Sequence, residues 1–273
     1  MATRRVLATI AFCAVALVST LLAQSVWTGL LVANLKSTPA IPWAVVVMAV
    51  IVWAIWRYFG GAWWPVSTRE ARRHFRRTPP ISGSVLAWGL AAGLVGLGAL
   101  LLLWLILGQL VRVPGNPSAN YAGYSPLTVV GVVAMASVVG AVIEELGLRG
   151  YMLTRLEPAV GGGLAVLIVA IVIAPGHAAT QGFALPAVLW YFLSDLLLGA
   201  LAVVTRSIVP GIIVHGAGLL VFFAIIWPTD HLRSPSPIGL LGVTFWTEVV
   251  ACLVLAILSV LALRHLALGR APA

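Results

Sequence analysis

Apolar residues in this chain run in blocks of about 20 or more, separated by short clusters of Pro, Gly, Ser and basic residues. Read in windows of ~19 residues, the pattern predicts eight helices, at 6–34, 41–59, 83–111, 126–156, 161–180, 185–204, 208–228 and 238–263. The breaks fall on turn chemistry: Lys36-Ser37-Thr38-Pro39, Pro79-Pro80, Pro114-Gly115-Asn116-Pro117, Gly161-Gly162-Gly163 and Ser234 to Pro237, with a weaker one near Gln181-Gly182. Blocks this long suit membrane-spanning helices and not the ~10-residue alternating strands of a barrel. No internal repeat or separate soluble domain is visible. The expected layout is N-terminal spans over 1–125 with a basic interfacial segment at 63–80, a helical core over 126–228, and a last span with a basic tail over 229–273.

Composition turns this pattern into a fold class. Of 273 residues, 62% are hydrophobic and 8% charged, and the mean hydropathy is +1.10. A soluble domain carries roughly 25% charged residues and must cover itself with polar groups. Lipid is the solvent that fits, and because it cannot satisfy backbone polar groups the spans must be helical or a closed barrel. The expectation is therefore an all-α polytopic protein of the cell membrane with about eight spans. The net charge of +9 does not point to nucleic acid, because the arginines sit at the ends of the apolar blocks. With both termini in the cytoplasm, 13 basic residues fall on that side and only Lys36, Arg112 and Arg233 on the other, so the positive-inside rule selects this orientation. Residues Arg69 to Arg77, following Trp63-Trp64, read equally as an interfacial helix on anionic lipid or as a solvated basic loop. The two cysteines, Cys13 and Cys252, lie in different spans and suggest neither a disulfide framework nor a thiolate metal site. The first apolar run extends to about Asn34, too long for an ordinary signal peptide, so a retained first helix is expected.

A charge at membrane depth is costly, by roughly 2.5–3.5 kcal/mol on insertion scales, and so marks function or pairing. The candidates are Glu144, Glu145, His177, Asp195, His215 and Glu248, while Glu70, Glu157 and Asp230 fall at helix ends or in loops, where solvation is expected. In Glu144-Glu145-Leu146-Gly147-Leu148-Arg149, Glu145 and Arg149 are i, i+4 neighbours, so Arg149 can hold Glu145. Glu144, turned about 100° away, is left to face another helix, the disposition a general base requires. Glu144 and His177 are nearly equidistant from the 157–163 turn, so on a helical hairpin they lie at the same height, ~24 Å from the turn at 1.5 Å per residue. His215, about eight residues into the seventh span, reaches a similar layer near the cytoplasmic face. Asp195 is open among three readings: a compensating acid, a partner of Arg206, or a surface group.

These residues resemble the CPBP family of intramembrane proteases (CAAX proteases and bacteriocin-processing enzymes, the Abi group), which includes Ras-converting prenyl-protein endopeptidases. Glu144, Glu145 and Arg149 match its Glu-Glu-x-x-x-Arg motif, with Gly150 following. His177 fits a Phe-x-x-x-His motif in which Ile173 stands at the Phe place, and His215, after Thr205-Arg206-Ser207-Ile208, fits a third motif in which Leu219 stands at the Asn place. The similarity covers about 144–219. It implies that Glu144 and His177 activate the attacking water, that Glu145 and Arg149 orient the site, and that His215 polarises the scissile carbonyl or stabilises the oxyanion. Glu144, His177 and His215 are also a possible set for a divalent metal such as zinc, and a metal-free, glutamate-dependent mechanism is equally open. If the Asn at position 219 donates to the oxyanion in relatives, its absence costs roughly 10²–10³ in rate.

The function expected is an intramembrane endopeptidase acting on a membrane-anchored peptide or protein near the cytoplasmic face, with membrane lipids as the other partner. Alternatives are a catalytically impaired scaffold or immunity protein, which Ile173 and Leu219 motivate, and a proton-coupled transporter, against which the lack of inverted repeats counts.

Overall fold

The computed structural model describes residues 2–37, 41–112, 121, 123–179, 183–229 and 235–269, and these form helices and connecting turns with no strand among the described residues. The helices are α1 (Ala2–Ser37), α2 (Trp43–Phe59), α3 (Arg69–Arg76), α4 (Gly83–Leu110), α5 (Pro126–Glu144), α6 (Thr154–Val160), α7 (Gly162–Ala179), α8 (Leu185–Thr205), α9 (Val209–Val221) and α10 (Val243–Leu268). A π-helical stretch, Glu145–Leu153, joins α5 to α6 without a break, so Pro126–Val160 is one rod of 35 residues.

Seven helices are long and apolar enough to cross a membrane, which makes the chain an integral membrane protein. The second of the eight expected spans, Trp43–Phe59, has 17 residues, or ~25 Å at 1.5 Å per residue, short of a ~30 Å hydrocarbon layer. The last span begins at Val243 and not at 238, because Ile238–Leu240 is a 3-10 turn and the chain stays extended through Leu241 and Gly242. The expected breaks at Thr38-Pro39, 114–117, Gln181-Gly182 and Ser234, and the charges Arg233 and Asp230, lie outside the described residues.

The 126–160 rod is the centre of the bundle: 56% of its apolar window is buried, against 11% for α10. Its neighbours are α1, α2 and α9, while α7 packs on α8 and α10 runs along α4. Asn34 ties α1 to α2, accepting from Ala44 N at 2.7 Å and donating to Ile41 O at 2.8 Å, so a buried polar side chain caps the start of a helix that has no cap of its own.

The basic segment is a helix, yet its arginines divide. Arg69 and Arg73 are exposed. Arg72 is buried, donating to the carbonyls of Trp63 and Pro65 with its guanidinium 4.1 Å from the Tyr58 ring centroid. Arg77, left-handed at φ 51° where α3 ends, donates to Glu157 at 2.8 Å and to Ala202 O at 2.9 Å, and its carbonyl accepts from Ile208 N at 3.0 Å. Arg72 and Arg77 are therefore structural and neither lipid contacts nor loop charges, and Glu157 is an ion-pair partner instead of a merely solvated acid. The α3 backbone comes close to the rod at Gly150, where a Cβ would meet Phe75 O at 2.6 Å.

Candidate functional site

Seven ionisable or amide side chains from five segments meet beside the middle of the rod: Gln24 from α1, Glu144 and the Glu145/Arg149 pair from the rod, His177 from α7, Asp195 from α8 and His215 from α9. Glu144 closes the regular helix and Glu145 opens the π-helical stretch, a distortion that recurs at functional sites. Close packing delivers the other helices. A Cβ on Gly147 would fall 1.8 Å from Thr20 Oγ1, so only glycine lets α1 approach closely enough to bring Gln24 over Glu144. A Cβ on Gly211 would fall 2.7 Å from Glu145 Oε2, so glycine there admits the second carboxylate under α9.

The two glutamates play different parts. Glu144, 6% exposed, accepts from Gln24 Nε2 through Oε1 at 2.5 Å, while its Oε2 faces His177 Nε2 at 3.6 Å and His215 Nε2 at 3.5 Å. These two separations are too long for direct hydrogen bonds and leave the carboxylate oxygen and both ring nitrogens bordering one point. Glu145, fully buried, lies with Oε1 3.0 Å from His215 Nδ1 and 3.2 Å from Arg149 Nη1. A carboxylate accepts only, so Glu145 takes a hydrogen bond from His215 Nδ1 and turns Nε2 toward Glu144. The His177 ring also meets Tyr191, centroids 5.2 Å apart.

Arg149 is fully buried and donates to Asp195 Oδ1 and to the Asp195 carbonyl, the latter at 3.4 Å, besides its pairing with Glu145. It is thus an interior guanidinium between two carboxylates, which removes it from the set of basic residues marking the cytoplasmic side. Asp195, 4% exposed, is neither a surface acid nor a partner of Arg206, which is exposed at the left-handed end of α8. Glu248 stands apart, accepting from Gln109 at 2.6 Å where α10 meets α4. Ile173 is buried on α7, and Leu219 projects toward Gly140, one turn before Glu144.

Sequence reasoning missed Gln24 and the Asp195–Arg149 pair. Gln24 had a signal, since it is the one amide or charged side chain between Arg5 and Asn34, and a strong hydrogen-bonding group amid apolar residues needs a partner in lipid. A further opening lies beside the site: a cavity of about 80 Å³ between α1 and α7, lined by Thr20, Gln24, Leu148, Ile173, Gly176 and His177 among others, with room for several waters.

Among the described residues no set of three or more His, Cys, Asp or Glu side chains is arranged to hold a metal ion, Glu144, His177 and His215 included. The chemistry this donor set supports directly is that of a carboxylate flanked by two imidazoles.

Comparison with curated proteins and with solved structures finds no match. Comparison with family models finds one, the type II CAAX prenyl endopeptidase Rce1-like family, over residues 126–221. That span runs from the start of α5 to the end of α9 and contains both glutamates, Arg149, both histidines and Asp195. The match makes this central helical segment, about a third of the chain, similar to the CAAX prenyl endopeptidase family.

Proposed function

We propose that the protein is an intramembrane endopeptidase of the cell membrane that hydrolyses a peptide bond of a membrane-anchored substrate near the cytoplasmic face, with Glu144 as general base. The observation that carries this reading is Glu144 Oε2 bordered by two imidazole nitrogens while Gln24 holds Oε1. A water hydrogen-bonded to Glu144 Oε2 and His177 Nε2 loses its proton to the carboxylate as its oxygen attacks the scissile carbonyl. His215 Nε2 faces the same point and, when protonated, donates to the developing oxyanion, with Glu145 on Nδ1 stabilising the ring's charge. The proton taken by Glu144 passes to the departing amine. Arg149 and Asp195 hold Glu145 in place and touch no reacting atom. The α1–α7 cavity has room for the waters the reaction consumes beside Glu144 and His177, and the arginine bias supports a cytoplasmic opening.

Replacing Glu144 or His177 by Ala abolishes cleavage of a lipid-anchored reporter peptide in membranes while the protein still inserts. Normal processing by both variants overturns the proposal. A binding scaffold derived from a protease is favoured by one observation, Leu219 at the Asn place; a cellular phenotype that survives Glu144→Gln supports it.

A further inference from the structure

A second cavity lies away from the carboxylates, at the elbow between α2 and α3. It measures about 470 Å³, is partly open to solvent, and is lined by Trp56, Arg57, Gly60, Arg69, Arg73 and Arg76 among others. That volume falls in the range of small-ligand sites, roughly 300–1,000 Å³. No carboxylate lines it. Arg77 and Arg149 have acid partners, whereas among the described residues none of the four lining arginines forms an ion pair.

The backbone shapes the cavity. Gly61 has φ +85°, and a Cβ there would lie 2.7 Å from both Arg69 Cγ and Arg73 Nε; one on Gly60 would lie 2.8 Å from Arg76 Nη1. The arginine stems therefore pass over bare backbone, and Arg73 Nε donates to Gly60 O at 3.1 Å. The Arg76 guanidinium lies over Trp56, 5.0 Å from the ring centroid, and its Nε is buried with no hydrogen-bond partner. Burial and the neighbouring Arg73 charge push the Arg76 pKa down. Four like charges held in one hollow by helix packing repel one another, and an oxyanion that takes the free donors relieves both the repulsion and the unsatisfied Nε.

We propose that the α2–α3 elbow is a binding site for a phosphate-bearing anion of headgroup size. Guanidiniums present forked donors that match phosphate oxygens. Two sources share this chemistry, an anionic phospholipid headgroup and a soluble phosphate. The surroundings favour the lipid, because Trp63 and Trp64 are exposed beside the elbow, 48% and 82%, as aromatic residues at a membrane–water boundary are.

The test is direct binding by calorimetry, using the purified full chain in a neutral detergent. The titrants are short-chain phosphatidylglycerol, short-chain phosphatidylcholine and inorganic phosphate. Phosphatidylglycerol binds, and the double variant Arg73→Gln/Arg76→Gln weakens it tenfold or more, while Arg264→Gln, an exposed charge on α10, changes it less than twofold. Should the double variant fail to fold, Arg57→Gln/Arg69→Gln, which alters two exposed side chains, gives the same loss. Inorganic phosphate that binds and competes assigns the recognised group to the phosphate; phosphate binding with no response to either lipid assigns the site to a soluble anion. Absence of binding by both anions, equal binding of phosphatidylcholine, or binding insensitive to both double variants overturns the proposal.

Discussion

Asp195→Ala is the perturbation whose outcome the packing specifies most sharply. The substitution removes one of two carboxylates on a guanidinium that has no exposure to solvent. Deleting the sole partner of a buried charge costs about 3–5 kcal/mol. Arg149 keeps Glu145 at 3.2 Å, so the loss should approach that of one charged hydrogen bond, about 1.5–3 kcal/mol. Asp195→Asn retains the accepting oxygen and sheds only the charge, so about half of this is lost. The assay is equilibrium unfolding of the purified protein in mixed micelles against increasing sodium dodecyl sulfate, followed by tryptophan fluorescence. A double-mutant cycle with Arg149→Met isolates the pair, and a coupling of about 1–3 kcal/mol is expected. Arg206→Ala is the control, and as an exposed change away from the cluster it should stay within about 0.5 kcal/mol of wild type. A coupling below about 0.5 kcal/mol, or an Arg206→Ala effect equal to that of Asp195→Ala, refutes the reasoning.

Three other predictions concern the site. Gly211→Ala pushes a methyl group against Glu145 Oε2, which should cost about 1–3 kcal/mol of stability by overpacking and lower kcat by displacing the His215 partner; wild-type values in both assays would contradict this. Gln24→Leu keeps the apolar contacts of α1 and removes the amide on Glu144 Oε1, so kcat/KM should fall about 10- to 100-fold, the equivalent of one charged hydrogen bond, and an unchanged value would show that the amide positions nothing. Because water activation by Glu144 routes no step through a metal, exhaustive treatment with a chelator followed by desalting should leave cleavage within about twofold, and a loss restored by added zinc would reverse that reading.

Much of this architecture was legible because it follows from local physics. Apolar run length and turn residues located the helices, with the start of the last one misplaced because Ile238 to Leu241 are apolar without being helical. The meeting of Glu144 with His177 followed from hairpin arithmetic about the 157–163 turn, since α6 and α7 reverse at Gly161 and hold equal heights together. The division between Glu144 and Glu145 followed from the i, i+4 reach of Arg149. The Asp195–Arg149 pair was hidden because a separation of 46 residues states nothing about which face of α8 meets the rod. Gln24 was hidden for a related reason: the contact spans 120 residues, and helix α1 carries no periodic polar stripe that would orient it. The roles of Arg72 and Arg77 depended on where α3 docks, which a run of arginines does not encode.

The central claim is that Glu144 does the proton transfer while the groups around it do the positioning. The most direct test is the single-turnover rate of Glu144→Gln in proteoliposomes, measured with prenylated and non-prenylated lipid-anchored peptides. Gln replaces Glu144 nearly isosterically and keeps an oxygen for Gln24 to bond, so substrate binding and the unfolding midpoint should stay close to wild type. The cleavage rate should fall by about 10²–10⁴, the contribution of a general base. A rate within about tenfold of wild type, with the fold intact, would contradict the account.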